Sequence, residues 1–128
     1  MIKKYHKDIG FLPCHIAEAQ FLIKDLQYRK ISFSSHALQS LKDEAEAVKI
    51  GQYILQYTLN FQDVFELAIY DGKIEKMGFR ISFNNRDIIF ILTREKRIVT
   101  LWTNAKEDCH YTLNTNKYEK CFCSLLTI

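Results

Sequence analysis

The sequence is short of the residues that usually separate domains. Its 128 residues include one proline and four glycines, and no stretch rich in proline, glycine or serine interrupts it. A chain of this length suits one domain built around one core. We therefore predict a single domain that spans residues 1–128.

Long apolar runs are also absent. No run approaches the roughly 18 residues that a membrane-crossing helix needs. The first residues, MIKKYHKDIGFLPCHIAEAQ, are basic but are not followed by the long apolar core of a signal peptide. These features predict a cytoplasmic protein with no membrane partner.

The four cysteines lack the C-x-x-C spacing of common zinc sites. They lie at Cys14, Cys109, Cys121 and Cys123, and the last two are too close together for an ordinary zinc knuckle. Cys109 and His110 could complete a zinc site with that pair, but free cysteines in a reducing cytosol behave as small apolar residues. We expect no metal and no cofactor, with zinc binding as the last of three alternatives.

A strong charge of one sign is missing as well. The chain has 18 lysines and arginines and 15 aspartates and glutamates, so its formal net charge is +3. This balance permits contact with nucleic acid without demanding it. The 48% of hydrophobic and 26% of charged residues indicate a folded chain rather than a disordered one.

Helical spacing dominates the first half of the chain. Residues 13–28 combine Pro13 in a first turn with an apolar stripe at helical spacing. A short alternating edge strand at Ile31–Phe33 follows, and Ser34 or Ser35 caps a short helix. Asp43 and Glu46, three residues apart, resemble a capping box that opens a second helical segment.

The second half changes to the period of strands. Two alternating runs flank Asp71-Gly72, a strong hairpin signal, and the runs RDIIFILT and RIVTLWTN follow. The order predicts an α+β fold, with N-terminal helices packed on one face of a four-stranded, mostly antiparallel sheet.

Alternation along these strands also predicts which side chains share a face. Phe65, Leu67 and Ile69 are expected on the helix side of the first of the four strands. The other, mixed face is expected to gather Glu66, Arg80, Ser82, Thr100 and Trp102. An arginine and an exposed aromatic on one face suit a phosphate and a nucleobase. The alternative is an ordinary solvated face, with Trp102 covering the end of the core.

Two segments carry a resemblance to a known group. FSSHALQSLKDE (33–44) resembles the opening of small toxin-like families related to RelE and BrnT. IVTLWTNAKEDCHYTLNTNKY looks like a tail found in phage and bacterial proteins, in which a strand is followed by H-x-T-L and then tyrosine. The match covers about residues 30–118. It implies membership of the group that joins barnase, EndoU, colicin D and RelE, many of which cleave RNA without a metal.

Metal-free RNA cleavage needs a base for the 2′-hydroxyl, donors for the phosphorane charge and an acid for the leaving oxygen. Histidine suits proton transfer and arginine suits phosphate oxygens. His110 is the candidate base or acid, Arg80 the candidate phosphate holder, and His36 either a second histidine or an anchor for its helix. Hydroxyl donors and substrate-binding groups complete the candidate site: Thr112, Tyr118, Trp102 and Lys117.

A second hypothesis is a non-catalytic inhibitor on the same scaffold, encoded by a phage or mobile element, which binds a host protein. The low net charge favours it, as does Ser40, which stands where the toxin-like relatives often carry a basic residue. An active toxin would instead need a protein antidote in its host. The two hypotheses therefore differ in their partners: RNA and an antidote, or a host protein target.

Overall fold

The computed structural model describes residues 1–26 and 30–105. It contains three helices, α1 (Pro13–Asp25), α2 (Ser35–Lys42) and α3 (Ala47–Gln56), together with a 3₁₀ turn at Phe61–Asp63. Its six strands are β1 (Lys3–His6), β2 (Ser32–Phe33), β3 (Val64–Tyr70), β4 (Lys73–Phe83), β5 (Arg86–Thr93) and β6 (Arg97–Ala105). The predicted α+β class is confirmed.

One mixed sheet contains all six strands, in the order β1-β3-β4-β5-β6-β2. The four central strands form the predicted antiparallel meander, whereas β2 pairs parallel with β6 at one edge and β1 pairs antiparallel with β3 at the other. The prediction of a four-stranded sheet is therefore wrong, because the sheet has one further strand at each edge. The short strand expected around Phe33 is β2, while nothing in the sequence analysis predicted β1.

The helices begin where local chemistry favours them, with one exception. Pro13 occupies the first turn of α1, and the Ser34 side chain accepts a hydrogen bond from the Ala37 N–H as the N-cap of α2. The capping box expected between Asp43 and Glu46 does not form. Glu46 instead adopts a left-handed backbone conformation, with φ of 61°, and α3 begins at the next residue without a side-chain cap.

The main core lies between the helices and one face of the sheet. Ala19, Leu22 and Ile23 of α1 are buried there, as the helical stripe predicts. The strands contribute every second residue, such as Met77, Phe79 and Ile81 of β4. We call this side of the sheet the helix face. None of the helices within the described ranges has the length and apolarity to cross a membrane.

The opposite side of the sheet, which we call the outer face, matches the predicted mixed face with one correction. Its residues, placed by strand alternation and register, include Lys4, His6, Phe65, Glu66, Lys76, Gly78, Arg80, Asp87, Ile89, Trp102 and Asn104. Phe65 was expected on the helix face beside Leu67. A register shift between Val64 and Glu66 places it instead in a small outer cluster with Ile89 and Trp102.

Candidate functional site

The candidate residues that follow β6 fall beyond Ala105. His110, Thr112, Lys117 and Tyr118 lie outside the described residues, and so do the three cysteines of the alternative zinc site, Cys109, Cys121 and Cys123. Within residues 1–26 and 30–105 no cluster of histidine, cysteine, aspartate and glutamate could hold a metal ion. The site can therefore be built from Arg80, Trp102 and their neighbours on the outer face.

Arg80 is held in a fixed orientation in the middle of β4. Its Nε donates a hydrogen bond to Asp87 Oδ2 at 2.7 Å, and its Nη2 donates to the carbonyl oxygen of Ala105 at 3.2 Å. The first contact crosses from β4 to β5, because Arg80 opposes Ile89 and Asp87 is the diagonal neighbour on the same face. Arg80 therefore ties the centre of the outer face to the end of β6.

Trp102 is packed rather than exposed. Its side chain contacts Phe65 and Ile89 in the outer cluster, and the residue is 8% exposed. The expectation of an exposed aromatic that stacks on a base is not matched. Phe65 of the same cluster lies against Gly78, where a Cβ would lie 2.7 Å from the Phe65 ring, so the absence of a side chain there lets the ring lie against the strand.

Arg80 and Trp102 nevertheless share one row of the outer face. Arg80 opposes Ile89 across β4 and β5, and Ile89 opposes Trp102 across β5 and β6. Two strand spacings place their Cα atoms about 10 Å apart. Strand alternation in the sequence was sufficient to place them on the same face, although it did not reveal that both side chains are largely buried.

His36 lies on the other side of the sheet. It belongs to α2, whose buried residues Ala37 and Leu41 pack in the main core against the helix face, and its own side chain is exposed. The sheet thus separates His36 from Arg80 and Trp102. The structure does not bring this histidine together with them.

A pair of buried titratable residues on the outer face was missed. His6 of β1 opposes Glu66 of β3, and they are 3% and 5% exposed. Burial lowers the pKa of the His6 imidazole, an effect opposed by the charge of Asp8. Burial also raises the pKa of the Glu66 carboxyl, opposed by Lys4, whose Nζ lies 3.8 Å from Glu66 Oε1. The two shifts move the pKa values of the imidazole and the carboxyl toward each other.

His6 has a definite tautomer in this geometry. Its Nδ1 accepts a hydrogen bond from the backbone N–H of Asp8 at 3.1 Å. The neutral ring therefore carries its proton on Nε2. The sequence analysis gave no signal for this pair, because residues 3–6 did not read as a strand and the pairing of His6 with Glu66 exists only in the sheet.

Other charged groups join the layers of the fold. Arg94 bonds to Glu18 of α1 and, through Nε, to the Ile74 carbonyl at 2.9 Å. Arg86 donates to the Ala45 carbonyl at 2.7 Å. Arg94 connects α1 to the sheet, and Arg86 connects the turn between α2 and α3 to it, which is a structural use of positive charge. Comparison with known proteins gives no match to a protein-family model, to a curated protein or to a solved structure.

Proposed function

We propose that this protein is a metal-independent, toxin-like RNA-binding and RNA-cleaving protein that uses the outer face of its sheet. Arg80 holds the scissile phosphate and His110 transfers a proton. Thr112 and Tyr118 supply hydroxyl donors, and Lys117 contacts the substrate. RNA is the partner in this proposal, together with a protein antidote in the host.

One observation carries the proposal: Arg80 is bonded to the carbonyl of Ala105. Ala105 precedes His110 by five residues, which span at most about 17 Å of extended chain. A segment of that length is long enough for the His110 imidazole to reach a phosphate held by the Arg80 guanidinium. Two hydrogen bonds, from Nε to Asp87 and from Nη2 to the Ala105 carbonyl, fix the plane of the guanidinium fork.

The chemistry assigned to each group follows from its type. The guanidinium fork matches two phosphate oxygens and stays charged at any working pH. Donors held rigid before the reaction stabilise the charge that develops on the phosphorane. The ion pair with Asp87 provides that rigidity for Arg80. Trp102 belongs to the packing of the outer cluster in this scheme and is no longer assigned to base stacking.

The test is an RNA-degradation assay in the presence of EDTA. We expect the native chain to cleave RNA, and His110→Ala to lower the rate by about 100-fold or more. Arg80→Lys keeps the charge and removes the fork, and should cost about 100-fold. Lys49→Ala is the matched control, since Lys49 is a highly exposed cation on α3 and its loss should leave the rate unchanged.

A native chain that leaves RNA intact under all conditions would contradict the proposal. So would cleavage that EDTA abolishes, because the mechanism uses no metal. Overexpression in a bacterial cell gives a second readout: the native chain should arrest growth, and His110→Ala should relieve the arrest.

The second candidate is a non-catalytic protein that binds a host protein on the same scaffold. Two observations favour it over cleavage. Asp87 and the Ala105 carbonyl already accept hydrogen bonds from the Arg80 guanidinium, and Trp102 is buried. A chain that lacks nuclease activity but co-purifies with one host protein at fixed stoichiometry would select this candidate.

A further inference from the structure

A cavity of about 280 Å³ lies where the start of α1 meets the β1 edge of the sheet. Lys3 and Tyr5 of β1 line it, together with Leu12 and His15 at the start of α1 and Ile69 near the end of β3. Ile69 belongs to the main core and Tyr5 packs against it, so the cavity lies on the helix-face side of the sheet. It is therefore separate from the outer face.

His15 is the buried polar residue of this cavity. It is 7% exposed, and its Nδ1 has no hydrogen-bond partner among the residues that the structure describes. The Tyr5 ring packs beside the imidazole, with the two ring centroids 5.2 Å apart. Because a polar side chain that is removed from water without a partner is costly, a histidine of this kind in a cavity wall indicates a polar ligand group.

The charges around the cavity favour an anion. Helix α1 has 13 residues and begins without a side-chain cap and without an acidic residue in its first turn, so the positive end of its dipole is not compensated there. Lys3 is exposed beside the cavity and forms no ion pair with any residue that the structure describes. Asp71 of the β3–β4 turn also borders the cavity and is the group that opposes an anion.

We propose that this cavity binds a small organic carboxylate. The carboxylate lies at the first turn of α1 and accepts hydrogen bonds from the His15 imidazole and the Lys3 ammonium group. The apolar body of the ligand packs against Tyr5, Leu12 and Ile69, as is usual for sites in which a few polar groups orient a mainly apolar molecule. This site goes beyond the proposed function, because none of these residues belongs to the outer face.

Isothermal titration calorimetry of the full chain with benzoate tests the proposal. We expect a single site with a Kd of about 1 mM or tighter. Benzylamine has the same ring with a positive charge and should not bind. Inorganic phosphate has the charge without the apolar body and should bind about 10-fold more weakly than benzoate, or not at all.

Substitutions in the cavity wall test the assigned contacts. Lys3→Ala and His15→Phe should each weaken benzoate binding by about 10-fold, because each removes a hydrogen-bond donor, while the phenyl ring keeps the packing against Tyr5. Asp71→Asn should strengthen binding, because it removes the opposing charge. Lys24→Ala is the matched control: Lys24 is an exposed cation in the last turn of the same helix, and its loss should leave binding unchanged.

A pair of variants at Leu12 tests the position of the carboxylate. Leu12 is the N-cap residue of α1, and both Leu12→Asp and Leu12→Asn introduce a side chain that can cap the helix. Only the aspartate brings a negative charge to the place assigned to the ligand. Leu12→Asp should therefore abolish benzoate binding, whereas Leu12→Asn should retain part of it.

The opposite results overturn the proposal. They are the absence of benzoate binding well above the expected Kd, binding of benzylamine or phosphate as tight as that of benzoate, and native affinity in Lys3→Ala. If His15→Phe does not fold, Lys3→Ala and Asp71→Asn decide, because both positions are exposed. None of these measurements uses RNA, so a chain that binds benzoate but leaves RNA intact would overturn the proposed function alone.

Discussion

At the scale of single residues, Gly78 shows how a missing side chain shapes the outer face. A Cβ there would lie 2.7 and 2.9 Å from two atoms of the Phe65 ring. We expect Gly78→Ala to destabilise the fold by about 1–3 kcal/mol, because the ring must leave its packed position. Gly51→Ala in α3 is the matched control: its Cβ would meet only Leu41 Cδ2, at 3.3 Å, and the change should stabilise the helix by about 0.5–1 kcal/mol.

Chemical denaturation of the two glycine variants measures both effects. The Trp102 fluorescence of Gly78→Ala should also change, because Phe65 and the indole belong to the same cluster. An alanine at residue 78 without loss of stability would mean that the Phe65 ring has room to move.

His6 gives a prediction about pH. Burial lowers its pKa below the ordinary value of 6.5, so the unfolded chain binds a proton more readily than the folded one. The free energy of unfolding should therefore fall as the pH drops through about 6.5 toward the folded-state pKa. His6→Gln should lack this loss. His36→Gln, at an exposed position, should keep it.

Urea midpoints measured between pH 5 and 8 test this difference. Glu66 works in the opposite direction, since its raised pKa gives stability that is present at low pH and is lost as the pH rises through that pKa. The comparison of native protein with His6→Gln isolates the histidine, because Glu66 is common to both. Parallel curves for the two proteins would show that His6 binds protons equally well in the folded and unfolded states.

At the scale of elements, the start of α2 depends on one hydroxyl. Ser34 Oγ accepts the Ala37 N–H at 3.0 Å and lies 3.5 Å from the Val99 carbonyl of β6. We expect Ser34→Ala to cost about 1 kcal/mol, the usual value of a lost N-cap. Ser35→Ala, one residue on and exposed, should change stability by less than about 0.5 kcal/mol. Equal thermal shifts in the two variants would contradict the capping role.

The elements that the sequence predicted are those with strong local signals. Asp71 and Gly72 both have positive φ, 53° and 76°, which the tight hairpin turn requires and which this residue pair adopts at low cost. The edge strand β1 has no such signal, because its four residues are KKYH and their partners in β3 lie 60 to 66 positions away. The failed capping box has a similar cause: Glu46 takes a left-handed conformation, and its side chain contacts Arg86.

At the scale of the whole molecule, the site divides into a part that alternation predicts and a part that depends on packing. Period-two spacing placed Arg80 and Trp102 on one face without knowledge of any contact. The burial of Trp102, the displacement of Phe65 by a register shift and the pairing of His6 with Glu66 arise only when the sheet forms. Single-strand patterns carry no information about these cross-strand relations, so the buried pair of His6 and Glu66 was not predicted.

The same division leads to a prediction about a shortened chain. Within the described residues, which end at Ala105, the six strands and three helices form one sheet with its covering helices, and Arg94 and Arg86 link that sheet to Glu18 and Ala45, whereas His110, Thr112 and Tyr118 lie later in the sequence. We expect a chain that ends at Ala105 to unfold in one cooperative transition, observed by circular dichroism, and to cleave no RNA in EDTA. The full chain with His110→Ala is the control that separates loss of the histidine from loss of the segment. Cleavage by the shortened chain would exclude His110 as the acid, and the absence of a cooperative transition would show that residues 106–128 are needed to complete the fold.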